Sequence, residues 1–158
     1  MGEIDDRLEA LGLELPEPMR PPPGVEFRFE LVRLHGGLAH VSGHGPVDGE
    51  RTLARGKVGA DVDLEAAVAA ARAVGLATLA SLRSELGDLD RIEGWVRSLG
   101  MVNCAPGFDA MPAVVNGFSE LIVEVLGERG RHARSAVGVA ELPFGWPVEV
   151  ESVVSVRA

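Results

Sequence analysis

GRHARSAVGVAELPFGWPVEVE, residues Gly130 to Glu151, decides how the rest of the chain is read. Small and β-branched residues from Arg134 to Val139 carry a strand pattern, and Val148 to Glu151 begin a second. Leu142-Pro143-Phe144-Gly145-Trp146-Pro147 holds the Pro and Gly punctuation of a loop between them. The stretch therefore predicts two strands around a turn. Arg134 stands just inside the first, among Ala133, Ser135 and Ala136. Small neighbours leave room for another group to approach its guanidinium. That planar fork of donors suits a carboxylate or a phosphate. The ordinary reading of the same residue is an ion pair with a structural acid at the sheet end.

The preceding segment reads as two helices and a strand. Pro112 suits the first turn of a helix running to about Leu126, with Gly127 as its stop. Val114, Val115, Phe118, Leu121, Ile122 and Val125 form its inward face. Arg91 to Asn103 alternates imperfectly as a strand, with bends expected at Gly94 and Gly100. A long helix is expected from about Leu64 to Leu86, capped by Asp61 or Asp63. Its apolar stripe runs through residues 64, 68, 71, 74, 78, 82 and 86. Nearer the N-terminus, Phe27, Phe29 and Leu31 alternate as a strand, His35-Gly36-Gly37 turns, and Leu38 to Ser42 forms the partner strand. Ser42 to Pro46 reads as a Gly-rich loop. Ile4 to Leu13 suits a short helix, and Pro16 to Gly24 a stiff connector.

The order helix, β, β, α, β, α, β, β predicts a two-layer α+β domain. Its sheet has five or six strands, with two main helices on one face. The chain of 158 residues reads as one domain, residues 1–158, with 1–24 as a short helix and proline-rich connector. The uncovered sheet face needs a lid, most simply another copy of the chain.

Composition narrows the function. The 15 basic and 24 acidic residues give a net charge of −9, which repels a phosphate backbone and argues against nucleic-acid partners. Lys57 is the only lysine. One cysteine, Cys104, fits a reducing compartment and no disulfide framework. The acidic, amphipathic N-terminus is unlike a signal peptide, and no apolar run is expected to cross a membrane. The expected location is cytoplasmic. His35, His40, His44 and His132 lack metal-ligand spacing, so no metal site is expected. His132 reads as a surface-loop histidine and Cys104 as a buried, inert thiol.

Several motifs together resemble the Rid family, also called YjgF or L-PSP. They are Val41-Ser42-Gly43 with Pro46, Val115-Asn116-Gly117, Ala133-Arg134-Ser135, Val137 with Val139-Ala140, Leu142-Pro143 and Val148 to Glu151. Asn103 to Phe108 and Leu8 to Pro18 look like one divergent branch of it. The resemblance implies a chorismate-mutase-like fold, a homotrimer and sites between subunits. It implies hydrolysis of small 2-imino acids, formed from enamines such as 2-aminoacrylate, to 2-keto acids and ammonia. No metal or organic cofactor is implied.

Residue by residue, Arg134 matches the family's carboxylate-binding arginine and Glu149 the acid that positions water. Ser42 and Asn116 match polar residues of the pocket, and Ala136 stands where many members have cysteine. Backbone N–H groups at Gly43, Ser135 and Ala136 are candidate helpers. The active deaminases carry a tyrosine where Phe29 falls here, and this chain has no tyrosine. The second reading is therefore a non-catalytic trimeric binder of small carboxylates such as 2-keto acids. Counting residues along the Gly130–Glu151 stretch as one hairpin offsets Arg134 from Glu149 by about 10 Å. That predicts a meeting between Arg134 of one subunit and Glu149 of the next.

Overall fold

The computed structural model describes residues 2–158. Helix α1 spans Glu3–Ala10 and buries Ile4 and Leu8. It is shorter than the expected segment, and Leu11 beyond it is exposed. The connector then runs beside a small hairpin of β3 (Val47–Asp48) and β4 (Arg51–Thr52). The Arg20 amide donates to the Gly49 carbonyl and the Gly49 amide to the Glu17 carbonyl. Met19 is thereby buried with Val47, Ala77 and Trp146 in a small second core.

Strand β1 (Val32–His35) turns at Gly36-Gly37 into β2 (Leu38–His44). The turn stands where it is expected, but the strand begins later than the Phe27–Leu31 alternation suggests. Phe27 and Phe29 stack on each other instead, with centroids 5.0 Å apart. Their alternation reflects that local pair and no cross-strand ladder. Ser42 closes the gap: its amide donates to the Leu31 carbonyl and its hydroxyl to the Glu30 carbonyl. Strand β2 also passes through Ser42-Gly43-His44, which the glycines mark as loop, by a register shift between Val41 and His44.

Helix α2 (Leu64–Leu86) has the expected bounds, and Asp63 caps it by accepting from the Ala66 amide. Asp61 instead accepts from the Lys57 amide. Leu64, expected on the buried stripe, is exposed, and Ala67 is the first buried residue of the helix. The helix is also long and apolar enough to cross a membrane by length and composition, contrary to expectation, yet more than half of that window is buried in the fold. Its alanines explain this. They let it lie close to β7 and to helix α3 (Met111–Leu126).

Strands β5 (Ile92–Asn103), β6 (Ala133–Val139) and β7 (Val148–Val156) complete one five-stranded mixed sheet, ordered β1-β2-β7-β5-β6. This corrects the reading of the Gly130–Glu151 stretch. Strands β6 and β7 are not partners: β5 lies between them, parallel to β6 and antiparallel to β7. Gly94 sits at a bulge of β5, as expected. Gly100 lies in regular ladder, and its lack of a side chain serves packing. A Cβ there would stand 2.6 Å from both Val115 methyls. Helices α2 and α3 cover one sheet face, where Val41, Val102, Val148, Val150 and Val154 are buried. A buried polar row crosses that face. Trp95 Nε1–H donates to Ser98 Oγ at 2.9 Å, and Ser98 Oγ meets Ser152 Oγ at 2.8 Å. Hydrogen-bonded in this way, the groups avoid the cost of burying unpaired polar atoms.

Candidate functional site

Arg134 lies on edge strand β6, opposite Ser98 of β5. Its side chain turns to the helix side. Nη1–H groups donate to Asn116 Oδ1 at 3.0 Å and Ser119 Oγ at 3.1 Å, and Nη2–H to the Pro112 carbonyl at 3.2 Å. All three acceptors belong to α3. Asn116 and Ser119 are one helical turn apart and share a face. Among the described residues no carboxylate pairs with Arg134. The ordinary ion-pair reading therefore does not hold. The acceptors are neutral, so they aim the guanidinium and leave its charge uncompensated. Partial burial draws its pKa down, but a guanidinium stays charged near neutrality.

His132 joins the same cluster and is half-buried, not the surface-loop residue expected. Its Nδ1 lies 2.7 Å from the Gly130 carbonyl and its Nε2 2.9 Å from Ser119 Oγ. Burial is the main cause that holds its pKa below the usual value. The charge of Arg134 acts in the same direction, and the Gly130 carbonyl opposes both. Asn116, expected among the polar residues of the pocket, accepts from Arg134. Ser119 escaped the sequence reading. Its spacing of three from Asn116 is the signal that would have found it.

Glu149 lies on β7 opposite Met101. It projects to the sheet face that the helices leave open, since its neighbours Val148 and Val150 are buried beneath them. Burial raises its pKa, and the charge of Glu151 adds to the rise. Gly43 of β2 makes room for it: a Cβ on Gly43 would stand 2.9 Å from the Glu149 carboxyl carbon. Ser42 lines a cavity of about 270 Å³ on this face, with Arg33, His40, Arg97, Leu99 and Glu151. Ser135 also faces this side, 3.4 Å from Arg97 Nη2. Phe29 is exposed; it precedes Glu30, whose carbonyl accepts from Ser42, and lines a separate depression with Pro18, Ser81 and Glu85.

The candidate residues thus form two groups in one chain. Arg134 and Asn116 sit on the helix side of the edge strand; Ser42, Gly43 and Glu149 sit on the open side. The ladder places Arg134 and Glu149 two strands apart and three residues out of register, on opposite faces. The hairpin count thus rested on a wrong pairing, but both geometries keep the two residues apart within the chain. Ala136, on the helix side of β6, packs against the main core. Of the histidines, His44 is fully buried, with Nδ1 2.7 Å from the Ser42 carbonyl and Nε2 2.8 Å from Ser81 Oγ. Cys104 is half-buried, and a Cβ on Gly138 would stand 2.8 Å from its Sγ. No group of three or more metal-ligating side chains occurs among the described residues.

Comparison with known proteins gives concordant relatives. The profile of a family described as "YjgF/chorismate mutase-like, putative endoribonuclease" matches residues 5–146. Protein TCP17 of Trypanosoma cruzi is 39% identical over 158 residues, covering 99% of this chain and 96% of that protein. The crystal structure of Atu1372 from Agrobacterium tumefaciens, described as of unknown function, superposes with a TM-score of 0.88. It is 37% identical, over 98% of this chain and 92% of that one. A structure from Shewanella oneidensis described as a "putative endoribonuclease" gives a TM-score of 0.90 at 29% identity, over 98% of this chain and 100% of that one.

Proposed function

The chain belongs to the YjgF/chorismate mutase-like family, and from that premise we propose that it is a hydrolytic deaminase of small, reactive 2-imino acids. The shell around Arg134 carries this reading: three neutral acceptors aim the guanidinium, and among the described residues no acid neutralises it. The Nε–H and one Nη2–H remain for a ligand, a pair of donors suited to one carboxylate. A 2-imino acid held there presents its electrophilic carbon at a fixed place.

Hydrolysis needs a water beside that carbon and a base to take its proton. Glu149 of a neighbouring subunit supplies the base in this reading. Its partial burial keeps it a better proton acceptor than a solvated glutamate. The water oxygen bonds to the imine carbon as Glu149 takes one of its protons and passes it to the imine nitrogen, which receives the electron pair of the broken C=N π bond. The resulting carbinolamine releases ammonia, leaving the 2-keto acid. Ser42 and the backbone at Gly43 would line the neighbour's half of the cleft, with Phe29 at its edge. No cofactor enters the scheme. The homotrimer is part of the proposal, because the two groups of residues lie on opposite faces of one chain.

The absence of tyrosine favours one alternative, a non-catalytic trimeric binder of 2-keto acids, since Phe29 brings no hydroxyl to the site. An RNA substrate is disfavoured by the net charge of −9, which repels a phosphate backbone. The test is semicarbazide-competed hydrolysis of 2-iminopropionate and 2-iminobutyrate generated in situ. Acceleration by the wild type that Arg134→Ala abolishes is the expected result. If neither protein accelerates hydrolysis while pyruvate still binds, the binding-protein reading replaces the deaminase.

A further inference from the structure

Arg134 is held by a directional network that begins at a backbone carbonyl. The Gly130 carbonyl can only accept, so the His132 Nδ1, 2.7 Å away, carries the hydrogen. In the neutral ring, Nε2 is then an acceptor. Ser119 must therefore donate its hydroxyl hydrogen to Nε2 over the 2.9 Å contact. Its oxygen is left to accept from Arg134 Nη1–H at 3.1 Å. Each bond determines the direction of the next.

The start of the network is itself fixed by packing. A Cβ on Gly130 would stand 2.5 Å from the Ile122 carbonyl oxygen, so only glycine lets the backbone come this close to α3. The Trp95 and Phe118 rings flank His132, with centroids 6.5 and 6.3 Å away. They keep it partly dry, which favours the uncharged ring. Arg134 is the charged group that bears on it.

We propose that Ser119 and His132 are positioning residues. They orient the Arg134 guanidinium so that its free edge faces the ligand, and they do so without lending it a counter-charge. An acid in the place of Ser119 would hold the arginine as firmly but would compete with a ligand carboxylate. The Ser–His pair supplies the hold and leaves the charge available. This rests on the carboxylate-clamp reading for its purpose, though not for its geometry.

The test has two independent readouts on the intact protein. Side-chain ¹⁵N NMR reports rotation of the Arg134 guanidinium with no ligand present. Calorimetric titration with pyruvate reports carboxylate affinity. We expect restricted rotation in the wild type, released in Ser119→Ala and His132→Phe. Ser119→Thr keeps the hydroxyl, and His132→Gln keeps an acceptor near the Nε2 position; both retain restricted rotation. Pyruvate affinity falls about tenfold in Ser119→Ala, the loss expected for a hydrogen bond to a charged group, and recovers in Ser119→Thr. Equal rotation in wild type and Ser119→Ala overturns the proposal, as does an unchanged affinity in both disruptive variants. If pyruvate binds neither the wild type nor Arg134→Ala while the rotation differences persist, the clamp reading fails and the positioning of Arg134 stands.

Discussion

Glu149 and His44 show how one sheet gives titratable residues opposite assignments. Burial beside Glu151 raises the Glu149 pKa, and a base must be ionised to accept a proton. In the proposed deaminase reaction the rate should therefore fall on the acid side at a pH above that of an ordinary glutamate. In Glu149→Gln the rate should drop by about 10²- to 10⁴-fold and the acid limb should vanish, while pyruvate affinity persists. Steady-state assays from pH 4 to 8 check this, and an unaltered acid limb in the variant would count against Glu149. His44 is buried under α2, and desolvation lowers its pKa to about 4 despite the Ser42 carbonyl. The unfolded chain takes up a proton on His44 near pH 6.5 and the folded chain does not. Stability from this residue is thus fully present above that pH and is lost as pH falls toward 4, on the order of 3 kcal/mol. Urea denaturation at pH 7.5 and 4.5 should show the loss, and His44→Phe should show a shallower pH dependence.

The elements meet through small residues where the backbones come closest. Gly117 of α3 faces α2, and a Cβ there would stand 2.2 Å from the Val68 carbonyl oxygen. Backbone cannot swing aside as a side chain can, so α3 would have to lift. Gly117→Ala should cost ~3 kcal/mol, the upper part of the overpacking range. Chemical denaturation measures it. Because α3 also carries Asn116, Ser119 and the Pro112 carbonyl, the same variant should weaken carboxylate binding. A folded variant with wild-type stability would show that the two helices have more slack than their packing implies. Much of this scale is legible beforehand. The 3.6-residue period and the caps mark α2 and α3 closely, because those signals act within one turn. The Phe27–Leu31 alternation misleads for the same reason: two stacked rings imitate a ladder that needs a partner strand.

At the scale of the molecule, the helices cover one side of the sheet and the other stays open. Leu38, Leu99, Met101, Val137 and Val153 lie on that open side, among Arg33, Arg97, Glu149 and Glu151. A face of this mixed kind suits self-association, with apolar contact inside and charged pairs about it. Light scattering at micromolar concentration should give three times the 16.7 kDa chain mass. Leu99→Glu should shift it toward monomer and abolish imine hydrolysis together with assembly. A monomeric wild type would remove the shared site.

By itself, the sequence determined the order of the main helices and sheet strands, though not the small β3–β4 hairpin, and with it the two-layer class, the family and the choice of Arg134 and Glu149 as chemical candidates. These depend on local periodicity and on motifs written contiguously in the chain. Only the tertiary structure decided that β5 separates β6 from β7 and that Arg134 and Glu149 face opposite sides. It alone decided that Asn116, Ser119 and the Pro112 carbonyl accept from the arginine, and that His132 backs Ser119. Strand pairing and side-chain partners are set by contacts between distant residues, and their free energies exist only once the sheet and helices have packed.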